Sequence, residues 1–427
     1  PSIHHEIWRG FQHLSQRERF AVYATWDSPR WAENPDILFS LKRNYVGILY
    51  YLRRLAVVNV DEMTKILTYF GYATPMYLFR LLLHNCTTFG NLIPLIVPKL
   101  KCLSALCVDV GSFCVIEFFQ NRPRKMEEDA ITFDAGYTLA TEFASSFIKL
   151  FSERADCTVL FSYLANRIES QDLPSLLILD KLLSSVAMIP SPLQLLSPAV
   201  SITIARSIAG STVLSHVAMR HIQQEMPSKQ RERLIHFICQ KEVIPDMMLL
   251  LPRTIGDIMW EGESEDMQVV SVEYDRNNDI FLRLMMLLAH HSLFVSTFTE
   301  LVRAPQFLFS QFHLDFSRGF QLIRGVVTPE SFFAKEEKWG ILTPEFETEI
   351  KSTFVPEVWE NLDYFCFLCF WLVEYRDIFC PAEAYADYRR QIDIEIAGNQ
   401  AERKTGVSRT QLRKLSKTLG KLRQERE

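Results

Sequence analysis

Glycine is scarce in this chain, with 15 residues among 427, which is about half of the usual usage. Sandwiches, barrels and doubly wound folds need glycine in hairpins and phosphate-binding loops, so the shortage favours helices. The sequence also lacks a glycine-rich phosphate loop, a zinc-protease helix and a nucleophile elbow. These absences disfavour an enzyme, and the sequence predicts no cofactor and no catalytic residues.

Cysteine is present but forms no recognisable framework. The nine cysteines are an odd number and lie mostly inside apolar stretches, which indicates reduced core thiols of an intracellular protein. Cys366 and Cys369 form a CxxC, but no second CxxC or histidine pair completes a zinc set. Adjacent histidines such as His290 and His291 point about 100° apart on a helix, which is poor geometry for a shared metal. The sequence therefore predicts no metal site.

Long uncharged runs are also rare. The longest one, residues 182–205, contains Pro190, Pro192 and Pro198 together with several serines. Because prolines interrupt a membrane-spanning helix, a buried loop between helices is the better interpretation. We expect no membrane partner.

Helix-start chemistry recurs along the chain. Ser15 and Glu18 form a capping-box pattern. A capping side chain also precedes a proline at Asn34-Pro35, Thr74-Pro75, Thr328-Pro329 and Thr343-Pro344. Apolar residues between these starts fall at helical spacing, and short polar breaks join the helices in pairs. The sequence therefore predicts an all-α protein, an irregular helical-hairpin array of the solenoid type.

Breaks in the pattern predict the domain organisation. Residues 1–33 are expected to form lead-in helices, residues 34–190 a helical-hairpin domain with a charged connector at 121–129, and residues 191–400 a second helical domain. Residues 261–279 carry seven acidic residues and one basic residue, which favours a mobile acidic loop. Residues 401–427 are expected to form a basic amphipathic helix.

The C-terminal segment carries the strongest charge asymmetry. Residues 403–426 contain nine basic residues and one acidic residue, a local charge of +8, so the rest of the chain carries −13 of the total −5. Four leucines, from Leu412 to Leu422, fall three or four apart, and several of the basic residues lie on the opposite face. The basic residues predict RNA or DNA binding through phosphates; they are Arg403, Lys404, Arg409, Arg413, Lys414, Lys417, Lys421, Arg423 and Arg426. The alternative is that the leucines dock on the protein's own body or on a partner helix while the charges are solvated.

Specific stretches resemble a known family. The segment Leu-Phe-Ser-Tyr-Leu-Ala-Asn-Arg-Ile at 160–168, with the leucine-rich segment at 176–183, resembles the large scaffold subunit (subunit two) of the THO complex, in its middle-to-C-terminal portion. Further similar segments lie at 20–26, 91–100, 122–129, 359–371 and 375–381. The similar segments run in order from about residue 20 to residue 391.

The resemblance carries functional expectations that composition and spacing do not give. It implies a helical-hairpin domain resembling the middle domain of the translation-initiation scaffold, at residues 34–190. It implies a non-catalytic nuclear scaffold that organises the other THO subunits and a DEAD-box RNA helicase on nascent messenger RNA for packaging and export, in the TREX assembly. Two alternatives remain: a helical-repeat scaffold of another complex, in translation initiation or the nuclear pore, and an enzyme.

Overall fold

The computed structural model describes residues 2–27, 33–122, 124–189, 191, 228–261, 267–327, 339, 342–372, 390, 393 and 396–397. Contacts divide the chain into two compact units. The first unit contains Pro1–Ile189 and Met226–Leu372, and the second contains Pro190–Glu225 and Val373–Glu427. Every helix named below belongs to the first unit. The predicted Thr328-Pro329 cap lies outside the described residues.

Ten α-helices are described in the first half of the chain. They are α1 (Ser2–Phe11), α2 (Gln16–Ala24), α3 (Pro35–Arg53), α4 (Val60–Ala73), α5 (Pro75–Thr88), α6 (Ile93–Ile96), α7 (Ala105–Gln120), α8 (Ala135–Leu150), α9 (Thr158–Glu169) and α10 (Leu177–Ser185). Short 3₁₀ turns lie at Thr25–Asp27, Gly90–Leu92, Val97–Cys102 and Leu173–Leu176.

Nine further α-helices are described in the second half. They are α11 (Ser228–Ile238), α12 (Leu251–Glu261), α13 (Met267–Leu288), α14 (Ser292–Leu301), α15 (Phe307–Ser310), α16 (Phe316–Val326), α17 (Pro344–Thr353), α18 (Pro356–Asn361) and α19 (Tyr364–Leu372). A π-helix at Asp246–Leu250 leads into α12. Across the described ranges the only β pairing is one isolated antiparallel bridge between Met126 and Phe133. The predicted all-α array is therefore confirmed.

The core of the first unit is continuous from α5 to α16. Helix α5 packs on α7 and α8, α8 packs on α10, and α10 contacts α13, which also packs on α12 and α16. Side chains at these contacts are fully buried, among them Phe79, Phe147 and Phe281. Burying one such aromatic side chain stabilises a fold by about 1.5–3 kcal/mol relative to leaving it exposed. Both predicted helical domains, 34–190 and 191–400, therefore contribute helices to one compact unit, while the predicted boundary at residue 190 stays a prediction.

Most of the predicted helix caps form. The Ser15 hydroxyl accepts a hydrogen bond from the Glu18 amide, and the Glu18 carboxylate accepts one from the Ser15 amide, 2.7 Å away. Asn34 caps α3 by accepting from the Asp36 amide at 3.0 Å, and Thr343 caps α17. Thr74 precedes α5 but forms no side-chain cap, and its buried hydroxyl has no hydrogen-bond partner among the described residues. The cap prediction at Thr74 was wrong, and only proline at the first helical position marks that helix start.

The prediction of a mobile acidic loop at 261–279 was also wrong for residues 267–279, which belong to helix α13. The prediction used the number of acidic residues but not their positions around a helix. Val270, Asn277 and Ile280 are buried, and their spacing places them on one face. Asp275 and Asp279 lie away from that face, and Glu273, which shares its spacing, is only half-buried, so the charge density is compatible with a packed helix.

Candidate interaction surface

Helix α3 begins and packs as the sequence dictates. The Asn34 side chain and Pro35 at the first position start the helix. Its inner face carries the buried residues Ile48 and Leu52. Gly47 also faces inward, because a Cβ at this position would lie 2.7 Å from the ring of Phe70 on α4. This close approach of α3 to α4 leaves the opposite face of α3 turned outward.

The outward face of α3 is apolar. Phe39 and Val46 are 69% and 63% exposed, and Tyr50 is 47% exposed. Residues 39, 46 and 50 are spaced by seven and four, so their side chains form one stripe on the helix. Val57, Val58 and Tyr69, beyond the end of α3, are exposed apolar residues as well, and Val58 is 99% exposed. A group of large exposed apolar side chains on one part of the surface is typical of an interaction site.

The turn after α3 is held in place by Asn59. Its side-chain oxygen accepts a hydrogen bond from the Ala56 amide at 2.8 Å, and its side-chain nitrogen donates to the Arg54 carbonyl at 2.9 Å. These two bonds close residues 54–59 into a defined turn. Val57 and Val58 are therefore displayed by an ordered backbone.

Basic residues border and interrupt the apolar stripe. Lys42, Arg43, Arg53 and Arg54 are all exposed on or next to α3, and Arg43 lies on the stripe itself, between Phe39 and Val46. The Arg54 guanidinium lies over the Tyr50 ring, 3.9 Å from its centre, which is a cation–π contact. Asp36 is the only acidic residue of α3. The α3 face, defined as Phe39, Val46, Tyr50, Val57 and Val58 with this basic border, suits a partner surface that is apolar and acidic.

A group that resembles a nucleophilic constellation lies under α1. The Ser104 hydroxyl is 3.1 Å from the Cys107 sulfur and 3.2 Å from His4 Nδ1. Cys107 is fully buried, and burial raises the pKa of its thiol, so the thiolate form is disfavoured. Burial also lowers the pKa of His4. These groups attach α1 to α7, and the geometry does not support nucleophilic catalysis there.

The cysteines and histidines that the sequence analysis weighed as metal ligands belong to two separate parts of the chain, residues 366–369 and 290–291. Cys366 is exposed and Cys369 is half-buried on α19. His290 has a positive φ of 59°, and His291 is the N-cap residue of α14. In the described part of the chain no group of three or more histidine, cysteine or acidic side chains is arranged to hold a metal ion.

The predicted nucleic-acid-binding residues, Arg403 to Arg426, lie outside the described residues. Sequence analysis did not single out the α3 face, although a signal was available. Phe39, Val46 and Tyr50 share a stripe of α3 that is separate from the buried Ile48 and Leu52, so the helix has two apolar faces. A helix that packs on a core with one side needs only one apolar face, so the second face is free to bind a partner.

None of the helices in the described ranges is by itself long and apolar enough to cross a membrane. Helices α13 and α14 together are long and apolar enough by length and composition, but a bend of 113° lies between them.

An all-helical array with an uncovered apolar and basic helix face has the architecture of helical interaction proteins. Comparison with known proteins gives a more specific result. The chain is similar to THO complex subunit 2 of Dasypus novemcinctus, with 22% identity over 416 residues, which is 92% of this chain. It is also similar to THO complex subunit 2 of Homo sapiens, with 22% identity over 91% of the chain, and of Arabidopsis thaliana, with 23% identity over 77% of the chain.

These similarities confirm the resemblance to THO complex subunit two that the sequence motifs indicated. The chain spans about a quarter of the length of the animal relatives, 25% of each, and 18% of the Arabidopsis relative. No known family profile matches the chain.

Proposed function

We propose that this chain is a non-catalytic scaffold component of a THO-type complex in the nucleus. In this role it holds the other THO subunits and a DEAD-box RNA helicase on nascent messenger RNA for packaging and export. The observation that carries the proposal is the similarity to THO complex subunit 2 along 92% of the chain. The all-helical fold and the α3 face support a binding role.

The helicase is proposed to dock on the helical-hairpin domain, residues 34–190, through the α3 face. This face combines exposed apolar side chains with a basic border. Apolar contacts in the centre of an interface contribute most of the affinity, and charged residues at its rim steer association. We therefore expect an acidic rim on the helicase surface that meets α3.

The test uses the 427-residue chain and the DEAD-box helicase from the same organism. Binding is measured by biolayer interferometry for the wild-type chain and for Phe39→Asp/Val46→Asp. Because both side chains are exposed, the variant is expected to fold normally and to bind at least about tenfold more weakly, the loss from removing two apolar anchors. Val355→Asp/Leu362→Asp is the matched control, since these apolar residues are also exposed but lie at α18.

Each result has a distinct meaning. Absence of helicase binding by the folded wild-type chain would overturn the helicase role. Binding that is lost equally in both variants, or in neither, would place the contact elsewhere. Hydrolysis of ATP by the chain alone would contradict the non-catalytic assignment. Affinity purification of the full-length protein tests the alternative, because translation-initiation or nuclear-pore subunits in place of THO subunits would favour a scaffold of another complex.

A second role is proposed for the C-terminal segment. Residues 403–426 carry a charge of +8 on an otherwise acidic chain. Basic residues of this kind bind phosphates with little sequence preference and release counterions. We therefore propose that this segment contributes sequence-tolerant RNA or DNA binding, which suits a scaffold that meets many transcripts.

A further inference from the structure

Two neighbouring cavities open at one edge of the first unit. The first has a volume of about 530 Å³ and is lined by residues of α7 and α9, of the connector that follows α7 and of the turn after α9. The second has a volume of about 500 Å³ and lies between α5 and α7. Arg122 lines both cavities. Volumes of this size accommodate a small ligand or a short peptide segment.

The first cavity carries more positive than negative charge. Its lining contains four cations, Arg122, Arg124, Lys125 and Arg167, and one carboxylate, Asp172. Asp172 serves two of these cations, because Lys125 donates a hydrogen bond to it and Arg167 Nη1 lies 3.7 Å from the same oxygen. Arg122 and Arg124 each pair with a carboxylate that does not line the cavity, Asp134 and Glu127. The four cations therefore meet three carboxylates, and one positive charge remains for an incoming anion to balance.

The cations are held by the fold. The Arg122 guanidinium lies 5.5 Å from the centre of the Phe118 ring and donates to Asp134. Lys125 is only 11% exposed and donates to the fully buried Ser175 hydroxyl at 2.8 Å. The Arg167 guanidinium lies over the Tyr163 ring at 4.9 Å. Preorganised cations bind an anion with less loss of side-chain entropy.

Helix α13 holds the connector that carries three of these cations. Arg276 donates a hydrogen bond from Nη2 to the Ile131 carbonyl at 2.6 Å, and its guanidinium lies 4.3 Å from the centre of the Phe133 ring. The bridge between Met126 and Phe133 then fixes the strand-like segment next to Lys125. The connector residues that line the first cavity are therefore held in place by contacts with the rest of the fold.

Gly136 provides the space that Arg122 occupies. A Cβ on this residue would lie 2.5 Å from Arg122 Nη2 and 3.2 Å from its Cζ. Any other residue at position 136 would displace the Arg122 guanidinium, which lines both cavities. The position of Arg122 can thus be changed without altering the charge of the protein.

We propose that the first cavity binds a phosphorylated serine or threonine side chain presented by a short segment of a partner protein. A phosphate group carries a charge of about −1.5 to −2 near neutral pH and three acceptor oxygens. A carboxylate ligand brings no more charge than Asp134, Glu127 or Asp172 each already supplies to these cations, so it gains little by exchange. A single arginine can bind a phosphate through two parallel hydrogen bonds, and three of the four cations that line the cavity are arginines.

The remaining charge of the chain favours a peptide over a nucleic acid at this cavity. Outside residues 403–426 the chain carries −13. A long polyanion that crosses this body meets repulsion along its length, whereas one phosphorylated side chain responds mainly to the nearest charges, since charges beyond about 10 Å are screened by salt. The proposal does not depend on helicase docking, because the cavity and the α3 face involve different residues.

The test measures fluorescence anisotropy of three labelled heptapeptide pools with the 427-residue chain. The pools differ only at the central position, which is phosphoserine, serine or glutamate, and acidic residues are excluded elsewhere. We expect binding of the phosphoserine pool, no binding of the serine pool and at least about tenfold weaker binding of the glutamate pool. Equal binding of the glutamate and phosphoserine pools would overturn the phosphate assignment.

Variants locate the site. Arg124→Met/Arg167→Met removes two partly exposed cations and is expected to weaken phosphoserine binding at least about tenfold, the loss for two charge-assisted hydrogen bonds. Gly136→Ala is expected to weaken it as well. Arg9→Met/Arg17→Met, at two exposed arginines that do not line the cavity, is the matched control and should leave phosphoserine binding unchanged.

Two results would contradict the location or the ligand. Unchanged phosphoserine binding in Arg124→Met/Arg167→Met would place that binding elsewhere. Displacement of the peptide by oligouridylate, with loss of oligouridylate binding in the same variant, would show a nucleic-acid site instead. Thermal unfolding of each variant checks folding, and if Gly136→Ala fails to fold, the double methionine variant decides the question.

Discussion

Arg19 and Asp109 form a bidentate ion pair inside the protein. Arg19 Nε and Nη2 donate to the two carboxylate oxygens of Asp109 at 2.8 Å and 2.9 Å, and both side chains are less than 10% exposed. The Tyr23 hydroxyl donates to the same carboxylate at 2.7 Å. Because Arg19 and Tyr23 belong to α2 and Asp109 to α7, these three residues attach the N-terminal helices to the array.

Asp109→Ala is therefore expected to destabilise the protein strongly. It leaves the buried Tyr23 hydroxyl without its acceptor and the Arg19 guanidinium with only the more distant carboxylate of Asp156, 3.4 Å away. Removing one partner of a buried ion pair costs about 3–5 kcal/mol. The free energy of unfolding is measured by urea titration. The triple variant Arg19→Met/Tyr23→Phe/Asp109→Leu removes all three polar groups together and should retain much more stability than Asp109→Ala.

An exposed pair provides the contrast. Arg9 and Glu6 lie 3.4 Å apart, and both side chains are more than 70% exposed. Glu6→Ala should change the free energy of unfolding by no more than about 0.5 kcal/mol, as is usual for surface pairs. Equal losses in Glu6→Ala and Asp109→Ala would contradict a structural role of the buried pair.

Arg283 is a second buried arginine, and it connects α13 to α10. It is 2% exposed, donates to Asp180 and lies 2.7 Å from Asp279. It also donates to the Ser184 hydroxyl at 3.1 Å. Arg283→Ala is expected to lower the free energy of unfolding by about 3–5 kcal/mol, because Asp180 then loses its buried partner. Lys351→Ala, at a half-exposed pair with Glu347, is the control.

The shape of the unfolding curve tests how far the two predicted domains are coupled. Since Arg283 joins a helix of residues 34–190 to a helix of residues 191–400, we expect one cooperative transition that shifts to lower urea in Arg283→Ala. Two separate transitions, with only one shifted, would show that the domains unfold independently.

Local signals account for what the sequence predicted correctly. The caps at Ser15, Asn34 and Thr343 involve residues two or three positions apart, and so the pattern and the hydrogen bond are read from the same few residues. The helical periodicity and the scarcity of glycine can likewise be recognised without knowing which residues are in contact in the fold. These signals were sufficient for the all-α fold.

Long-range contacts account for what the sequence could not predict. The helical pattern of α10 assigns Asp180 to the polar face, but its partner Arg283 lies 103 residues further along the chain. The first cavity combines residues of α7 and α9 and the connector, and its charge balance depends on which carboxylates fold next to which cations. The sequence of α3 shows two apolar faces, but which of them is exposed depends on packing, and only the structure shows that Ile48 and Leu52 are the buried ones.

Asp246 gives a prediction about pH. Burial, and then the charge of Glu169, raise the pKa of this carboxyl to about 6. A raised pKa means that the folded state binds the proton more tightly than the unfolded state, whose value is about 3.9. The stabilisation from this proton is present at low pH and is lost as the pH rises through about 6.

Asp246→Asn is therefore expected to be more stable than the wild-type chain at about pH 7.5, with a difference that shrinks as the pH falls to about 5. Thermal unfolding at several pH values measures this difference. Asp257→Asn on α12 is the comparison variant. A stability difference for Asp246→Asn that does not vary with pH would contradict the raised pKa.

The C-terminal segment provides the last prediction. Deletion of residues 403–427 removes nine basic residues and should weaken binding to single-stranded RNA and make its salt dependence shallower. On single strands the log–log slope falls by about 0.7 for each lost phosphate contact. Arg413→Gln/Lys417→Gln/Lys421→Gln should reproduce part of this loss, whereas Leu415→Ala/Leu419→Ala should not. Anisotropy titrations at increasing KCl measure the slope, and co-purification measures subunit assembly. If the leucine variant dissociates a THO subunit while RNA binding stays unchanged in the glutamine variant and the deletion, the segment docks on a partner helix and its charges are only solvated.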